Sequence, residues 1–249
     1  MKDLPVQIDV IILSYAKNTY LKGLTEQTIT TLIQSEDPKK IEFHILVIES
    51  EKSLYPFQFE HSKTIYPKEK FGFNKYLNIG LSITNNKFVC LCNNDLIFHQ
   101  HWASEILAAM ERDVDMMSAT PFCLKYHQTN GFSAYAPPTE GYLGVFTGWC
   151  IFVKRTIFNR IGRLDENLVF WYCDNDYVQL LLKHNIKNVL VSTSFITHLG
   201  SESLKDIDEK TYDKLTLLPQ LYYNYKWNHH SVLRYQAEKL VFIVKQWLQ

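Results

Sequence analysis

Lys87-Phe88-Val89-Cys90-Leu91-Cys92-Asn93-Asn94-Asp95 is a short apolar run that breaks off into two amides and an acid. An unbroken run of this length suits a strand buried on both faces, as in a parallel sheet covered by helices. The pattern predicts a strand over 87–92 whose carboxyl end presents Asn93, Asn94 and Asp95. Ligands of open α/β sheets gather at the carboxyl ends of the strands, so these three polar residues stand where chemistry is done.

Toward the N-terminus, residues 8–13 form a second such run, rich in β-branched side chains and ending at Ser14-Tyr15. Residues 42–48 predict a further strand that stops at Glu49-Ser50, and 63–66 a short one before Pro67. Helical spacing fills the intervals over 25–35 and 73–84 and resumes over 102–110. Strand alternating with helix argues for an α/β single domain with a mostly parallel central sheet flanked by helices.

Order loosens over 121–148, where Pro137-Pro138 and four glycines suggest loops or an antiparallel excursion over a cleft. A strand is expected over 149–154, a short helix over 156–161, a helix over 177–184 opened by residues 170–176, and a closing strand over 189–192. Residues 232–248 predict a C-terminal amphipathic helix, open to packing on the domain or a subunit, or to lying on a membrane surface. The expected organisation is one domain over 1–228, in two halves over 1–118 and 119–228, and a helical tail over 229–249.

With 46% hydrophobic residues in 249, a substantial core is expected, and disordered and fibrous classes are excluded. The 26 basic residues balance 26 acidic ones, so no overall field favours nucleic acid as a partner. Five cysteines scattered singly point to a reducing, cytoplasmic compartment. No signal peptide and no uncharged apolar run of about 18 residues is present. Dinucleotide, Walker and nucleophile-elbow motifs are missing, which disfavours oxidoreductase, P-loop and hydrolase readings.

Asp95, directly after a buried strand, is poorly placed for packing and well placed to hold a hard divalent cation, although capping the next turn is an equal use for it. His198 follows another predicted strand end and would complete a metal site with Asp95, leaving positions open for two phosphate oxygens. Asp174 and Asp176 stand at a helix start, where the dipole favours ionised carboxylates and a base for an attacking hydroxyl can sit; capping is the competing role. Of the aromatics Phe170, Trp171 and Tyr172, one exposed ring would serve an acceptor sugar.

In order along the chain, these pieces resemble the family-two glycosyltransferases of the A-type fold, particularly the bacterial rhamnosyltransferase-like and polysaccharide-assembly members. Ile8-Asp9-Val10-Ile11-Ile12-Leu13-Ser14-Tyr15 looks like the family's opening strand, and Leu46-Val47-Ile48-Glu49-Ser50 its second, whose terminal acid contacts the base. Phe71-Gly72-Phe73-Asn74-Lys75-Tyr76-Leu77-Asn78-Ile79-Gly80 is similar to its Gly-Phe-x-x-x-x-Asn-x-Gly segment, and Asn93-Asn94-Asp95 to its Asp-x-Asp, with Asn93 replacing the first acid. Residues 147–155, 161–166 and 171–176 reproduce a longer pattern, with Cys173 where Glu is frequent; Thr197-His198-Leu199-Gly200-Ser201-Glu202-Ser203 resembles its late His-x-Gly-x-x-Ser segment.

The resemblance implies an inverting, metal-dependent transferase that moves a sugar from a nucleoside-diphosphate sugar to a hydroxyl of a glycan or glycoconjugate, at the cytoplasmic side or the inner face of a membrane. It implies Asp174 as base with Asp176 in reserve, and Mn²⁺ or Mg²⁺ held by Asp95 and His198. Ser14, Tyr15, Glu49, Lys75, Asn93 and Asn94 fall on the donor side; Gly148, Trp149 and Trp171 fall on the acceptor side. Two rivals are a noncatalytic nucleotide- or glycan-binding subunit and a nucleotidyltransferase.

Overall fold

The computed structural model describes residues 4–200 and 207–248. The chain begins with β1 (Val6–Ser14), α1 (Thr19–Gln34), β2 (Ile41–Glu49), β3 (Lys63–Ile65), α2 (Phe73–Ile83) and β4 (Phe88–Asn93). β1 pairs in parallel with both β2 and β4, in a register that sets Ser14 beside Glu49 and Leu13 beside Asn93. Three polar strand ends are thereby levelled along one edge of the sheet.

Successive residues of a strand face opposite sides, and the apolar runs are buried accordingly. Ile8, Val10 and Ile12 of β1 join Cys90 and Cys92 of β4 under Ile29 and Leu32 of α1. Ile11 and Leu13 join Val89 and Leu91 against Tyr76 and Leu77 of α2. A two-sided core of this kind is what an unbroken apolar strand encodes.

Next come β5 (Leu96–Phe98), α3 (Trp102–Arg112), β6 (Ser118–Cys123), α4 (Leu124–Thr129), β7 (Thr139–Glu140), β8 (Cys150–Lys154) and α5 (Phe158–Ile161). They are followed by α6 (Cys173–Lys183), β9 (Asn188–His198), α7 (Glu209–Asn224) and α8 (Val232–Leu248). The nine-stranded sheet runs β3-β2-β1-β4-β8-β6-β9-β5, with β7 on β9. Its first four strands are parallel, whereas β8 is antiparallel to β4 and β6, and β9 is parallel to β6.

The expected closing strand over 189–192 is in fact the eleven-residue β9. Ser192, Thr193 and Ser194 looked like its end but sit inside it, because their hydroxyls are paired with Ala136 O, Glu105 Oε2 (2.6 Å) and Trp102 O (2.7 Å). Residues 121–148 hold the end of β6, α4 and β7. Buried His127 organises this stretch: its Nδ1 accepts from Cys123 N–H (2.8 Å), so Nε2–H donates to Val145 O (3.0 Å). Burial lowers the pKa of this imidazole and keeps it neutral.

The Gly-Phe-x-x-x-x-Asn-x-Gly segment proves to be a clamp on the fold. Asn78 Nδ2 donates to Leu164 O (2.8 Å) and its Oδ1 accepts from Leu164 N–H (3.1 Å), which ties α2 to residues 161–166. A Cβ on Gly80 would stand 2.7 Å from Ile11 Cγ2 and 3.1 Å from Ile48 Cδ1. Gly80→Ala is therefore expected to destabilise: overpacking a core costs about 1–3 kcal/mol, against roughly 1 kcal/mol regained in helix propensity. Calorimetry should show the melting temperature fall by a few degrees.

Candidate active site

At the carboxyl ends of β1, β2 and β4, hydroxyls of α1 hold the loops in place. Ser14 Oγ bonds Thr25 Oγ1 (2.8 Å), which also accepts from Asn94 Nδ2 (2.9 Å). Thr28 Oγ1 donates to Asn94 O (2.8 Å) and accepts from Leu96 N–H (3.1 Å), fixing the turn that carries Asp95. Glu49 is fully enclosed: one carboxylate oxygen accepts from Ala16 N–H (3.1 Å) and Glu51 N–H (2.7 Å), and the other has no protein partner.

Asp95 and His198 meet because β5 and β9 are antiparallel neighbours with Leu96 opposite His198. Asp95 Oδ2 lies 3.3 Å from His198 Nε2, and Trp149 stacks flat on the imidazole at 4.4 Å. Asp95 Oδ1, Trp149 Nε1 and Thr147 Oγ1 are buried without a protein partner, and His198 Nε2, also buried, meets only the other oxygen of Asp95. Buried polar atoms are satisfied in nearly all native structures, and each left unpaired costs about 1–3 kcal/mol, so a cluster of them marks a place built for something else to bind.

A carboxylate and an imidazole with free lone pairs suit a divalent cation. Among the described residues no three His, Cys, Asp or Glu side chains gather closely enough to hold an ion unaided. Two protein ligands fit an ion that takes its remaining oxygens from a diphosphate and water, as Mg²⁺ characteristically does.

Asp174 is held against Gly148, next to Trp149 of this site. A Cβ on Gly148 would stand 2.6 Å from the Cβ of Asp174 and 3.2 Å from its Oδ2. Only glycine allows this approach, and Gly148 is also the residue before Trp149. The helix start presenting Asp174 is strained, since Tyr172 adopts a left-handed φ of 67°, a conformation costing of order 1–3 kcal/mol that concentrates at functional sites. Asp174 keeps a solvent-facing surface, yet desolvation by the surrounding protein pushes its pKa above the ordinary carboxylate value, only partly offset by Asn175 N–H.

Asp176 faces the other way. It is 1% exposed, and its Oδ1 receives Trp227 Nε1 (2.6 Å) and Lys226 Nζ (2.7 Å) from the turn between α7 and α8. Lys226 also reaches Asp165 Oδ2 (2.8 Å). Burial raises the pKa of Asp176 despite Lys226, while at Asp165 the hydrogen bonds of Lys226 and Asn167 outweigh burial and hold it low.

Removing one member of a buried ionic group strands the others, at a cost of about 3–5 kcal/mol, so Lys226→Met should lose stability on that scale at pH 7. The carboxyls stranded in the variant would bind protons more tightly folded than unfolded, so the penalty should shrink as pH falls into the carboxylate range. Urea unfolding of both proteins at neutral and acid pH measures this.

The structure thus gathers Asp95, His198, Trp149, Gly148 and Asp174, with Asn93 beside them through Asn93 N–H to Trp149 O (2.9 Å). Tyr15 is exposed at the end of β1 and Trp171 is exposed ahead of α6. Ser14 and Asn94 are engaged in holding the loops, and Lys75 lies along α2, where its charge helps lower Glu166. Ser201, Glu202 and Ser203 of the late motif lie outside the described residues. Sequence reasoning missed Thr25, Thr28, Lys226 and Trp227, which act over long sequence separations and carry no local signal.

No family model matches the sequence, and no curated protein is significantly similar to it. Solved structures are similar in fold. GalNAc-T7 with UDP, GalNAc and Mn²⁺ superposes with a TM-score of 0.62 at 12% identity, over 96% of this chain and 55% of that one. TarS 1–349 of S. aureus gives 0.58 at 13% over 89% and 72%, and the catalytic domain of Drosophila β1,4-galactosyltransferase 7 complexed with xylobiose gives 0.53 at 11% over 82% and 74%. The chain spans just over half the length of the GalNAc-T7 chain. At these identities the likeness is one of architecture, and the chain has the A-type fold of nucleotide-sugar glycosyltransferases.

Proposed function

We propose that the chain is an inverting, metal-dependent glycosyltransferase that moves a sugar from a nucleoside-diphosphate donor to a hydroxyl of a glycan or glycoconjugate in polysaccharide assembly, on the cytoplasmic side of a membrane. The observation that carries this reading is the buried pair of Asp95 and His198, with Asp95 Oδ1 left without a protein partner, at the carboxyl end of the parallel strands. The likeness to structures holding UDP and Mn²⁺ supports it.

Asp95 and His198 hold Mn²⁺ or Mg²⁺, and the ion supplies neutralisation of charge on the leaving diphosphate. Tyr15 and Asn93 border the donor, while the free oxygen of Glu49 is an acceptor for a base N–H. Because Glu49 is enclosed, a donor reaches that oxygen only when the side chains over it swing aside. Trp171 offers an exposed ring to the acceptor sugar. Asp174 takes the proton of the acceptor hydroxyl as its oxygen bonds to the anomeric carbon and the bond to the diphosphate breaks on the opposite face.

Purified protein with Mn²⁺ should release nucleoside diphosphate from one member of a panel of UDP-, GDP- and dTDP-sugars. NMR of the product should show the anomeric configuration inverted. A retained configuration would contradict Asp174 as base of a single displacement; nucleotide binding without turnover of any donor would favour a noncatalytic binding subunit.

A further inference from the structure

α8 docks through one side only. Phe242 is 9% exposed, Tyr235 stacks on Tyr225 at 5.2 Å, and Gln246 Nε2 donates to Asp213 Oδ2 (3.1 Å) on α7. At 3.6 residues per turn, the opposite side carries Leu233, Leu240, Val241, Ile243, Val244 and Trp247 over an arc of roughly 160°. These six side chains are 48–85% exposed, and Gln236 is the one polar residue among them. An apolar surface of this extent on a soluble protein marks an interaction site.

Charge frames that arc. Lys239 lies along one margin and Arg234 and Lys245 along the other, whereas the helix's one acid, Glu238, lies further round and is held by Arg234 Nε (2.7 Å). A second copy pairing through a helix seam would cover Leu233, Ala237, Leu240, Val244 and Trp247, spaced alternately by four and three. That seam is narrower than the arc and would leave Val241 and Ile243 in water. A lipid surface covers the full width and meets basic side chains on both margins with phosphates. Trp247, 84% exposed near the helix end, is a residue type enriched at the membrane interface. Among the described residues no helix is long and apolar enough to cross a bilayer, so this one would lie along it.

We propose that α8 seats the protein on a bilayer containing anionic phospholipid, with its apolar arc in the acyl boundary and Lys239 and Lys245 at the level of the headgroups. The proposal is independent of the catalytic reading and uses none of its residues.

Flotation of the full chain tests it with vesicles of phosphatidylcholine alone and of phosphatidylcholine mixed with phosphatidylglycerol. Wild type should float with the mixed vesicles, less at high salt, and weakly with the neutral ones. Leu240→Asp/Val244→Asp should lower partitioning at least about tenfold on both, and Lys239→Glu/Lys245→Glu about tenfold on the anionic vesicles only. Leu240, Val244 and Lys245 are exposed and Lys239 is half-buried with its ammonium 5.8 Å from the Tyr235 ring, so unchanged thermal melts are needed to show that the fold is intact. Absence of wild-type flotation, or flotation of Leu240→Asp/Val244→Asp equal to wild type, would overturn the proposal. So would a dimer in sedimentation that these aspartates dissociate in a protein that binds neither vesicle.

Discussion

Asp174→Asn is expected to lose sugar transfer by about 10²–10⁴-fold, the usual worth of a positioned base, and to become more stable at neutral pH. The two effects share one cause. Desolvation by the surrounding protein raises the pKa of Asp174, so the folded protein binds this proton more tightly than the unfolded chain does. Its contribution to stability is full below the unfolded-state pKa and is lost as pH rises through the folded one. At neutral pH the ionised carboxylate is therefore a cost that the amide does not carry.

The same shift sets the pH profile of the wild type. Activity should climb with pH through a midpoint raised from the ordinary Asp value, as the base ionises, and this acid limb should vanish from the residual activity of Asp174→Asn. Equal stability of the two proteins from acid to neutral pH would argue that Asp174 is an ordinary surface carboxylate.

Asp95→Ala is expected to cost about 10²–10³-fold in transfer, the scale of removing one element of electrostatic stabilisation at a leaving group, while leaving the fold in place. The turn carrying Asp95 is held by other groups: Asp95 O accepts from Leu199 N–H (3.0 Å) and Leu96 N–H is held by Thr28 Oγ1. The carboxylate itself has one oxygen without a protein partner, so its removal relieves an unpaired buried atom, which offsets the lost contact of the other oxygen with His198. Thermal melts of the variant should match or exceed those of wild type without metal, and the stabilisation that Mn²⁺ with nucleotide gives wild type should disappear.

The N-terminal half of the fold was legible because its strands are unbroken apolar runs, and Asp95 stood out because an acid at the end of such a run has no packing role. α8 was equally legible, with the same bounds expected and observed. What misled was polarity inside buried elements. Ser192 to Ser194 suggested a strand end until hydroxyl partners from α3 and the loop ahead of β7 were seen to satisfy them. α7 went unforeseen because its polar sequence, interrupted by Pro219, has no clear apolar stripe. Asp174 and Asp176, two residues apart, were ranked in sequence by the resemblance alone, which put Asp174 first and Asp176 in reserve. Their environments differ because Gly148 lets one lie next to Trp149 while Lys226, fifty residues later, neutralises the other.

On this mechanism Asp95 and His198 form a half-site that a nucleoside diphosphate completes. Calorimetric titration of Mn²⁺ into wild type and Asp95→Ala, each with and without UDP, GDP or dTDP, tests it without requiring the acceptor. Mn²⁺ alone should bind weakly, the ion should bind markedly more tightly with one of the diphosphates, and Asp95→Ala should lose that coupling. Coupling that survives the substitution undiminished would contradict the half-site and place the ion elsewhere.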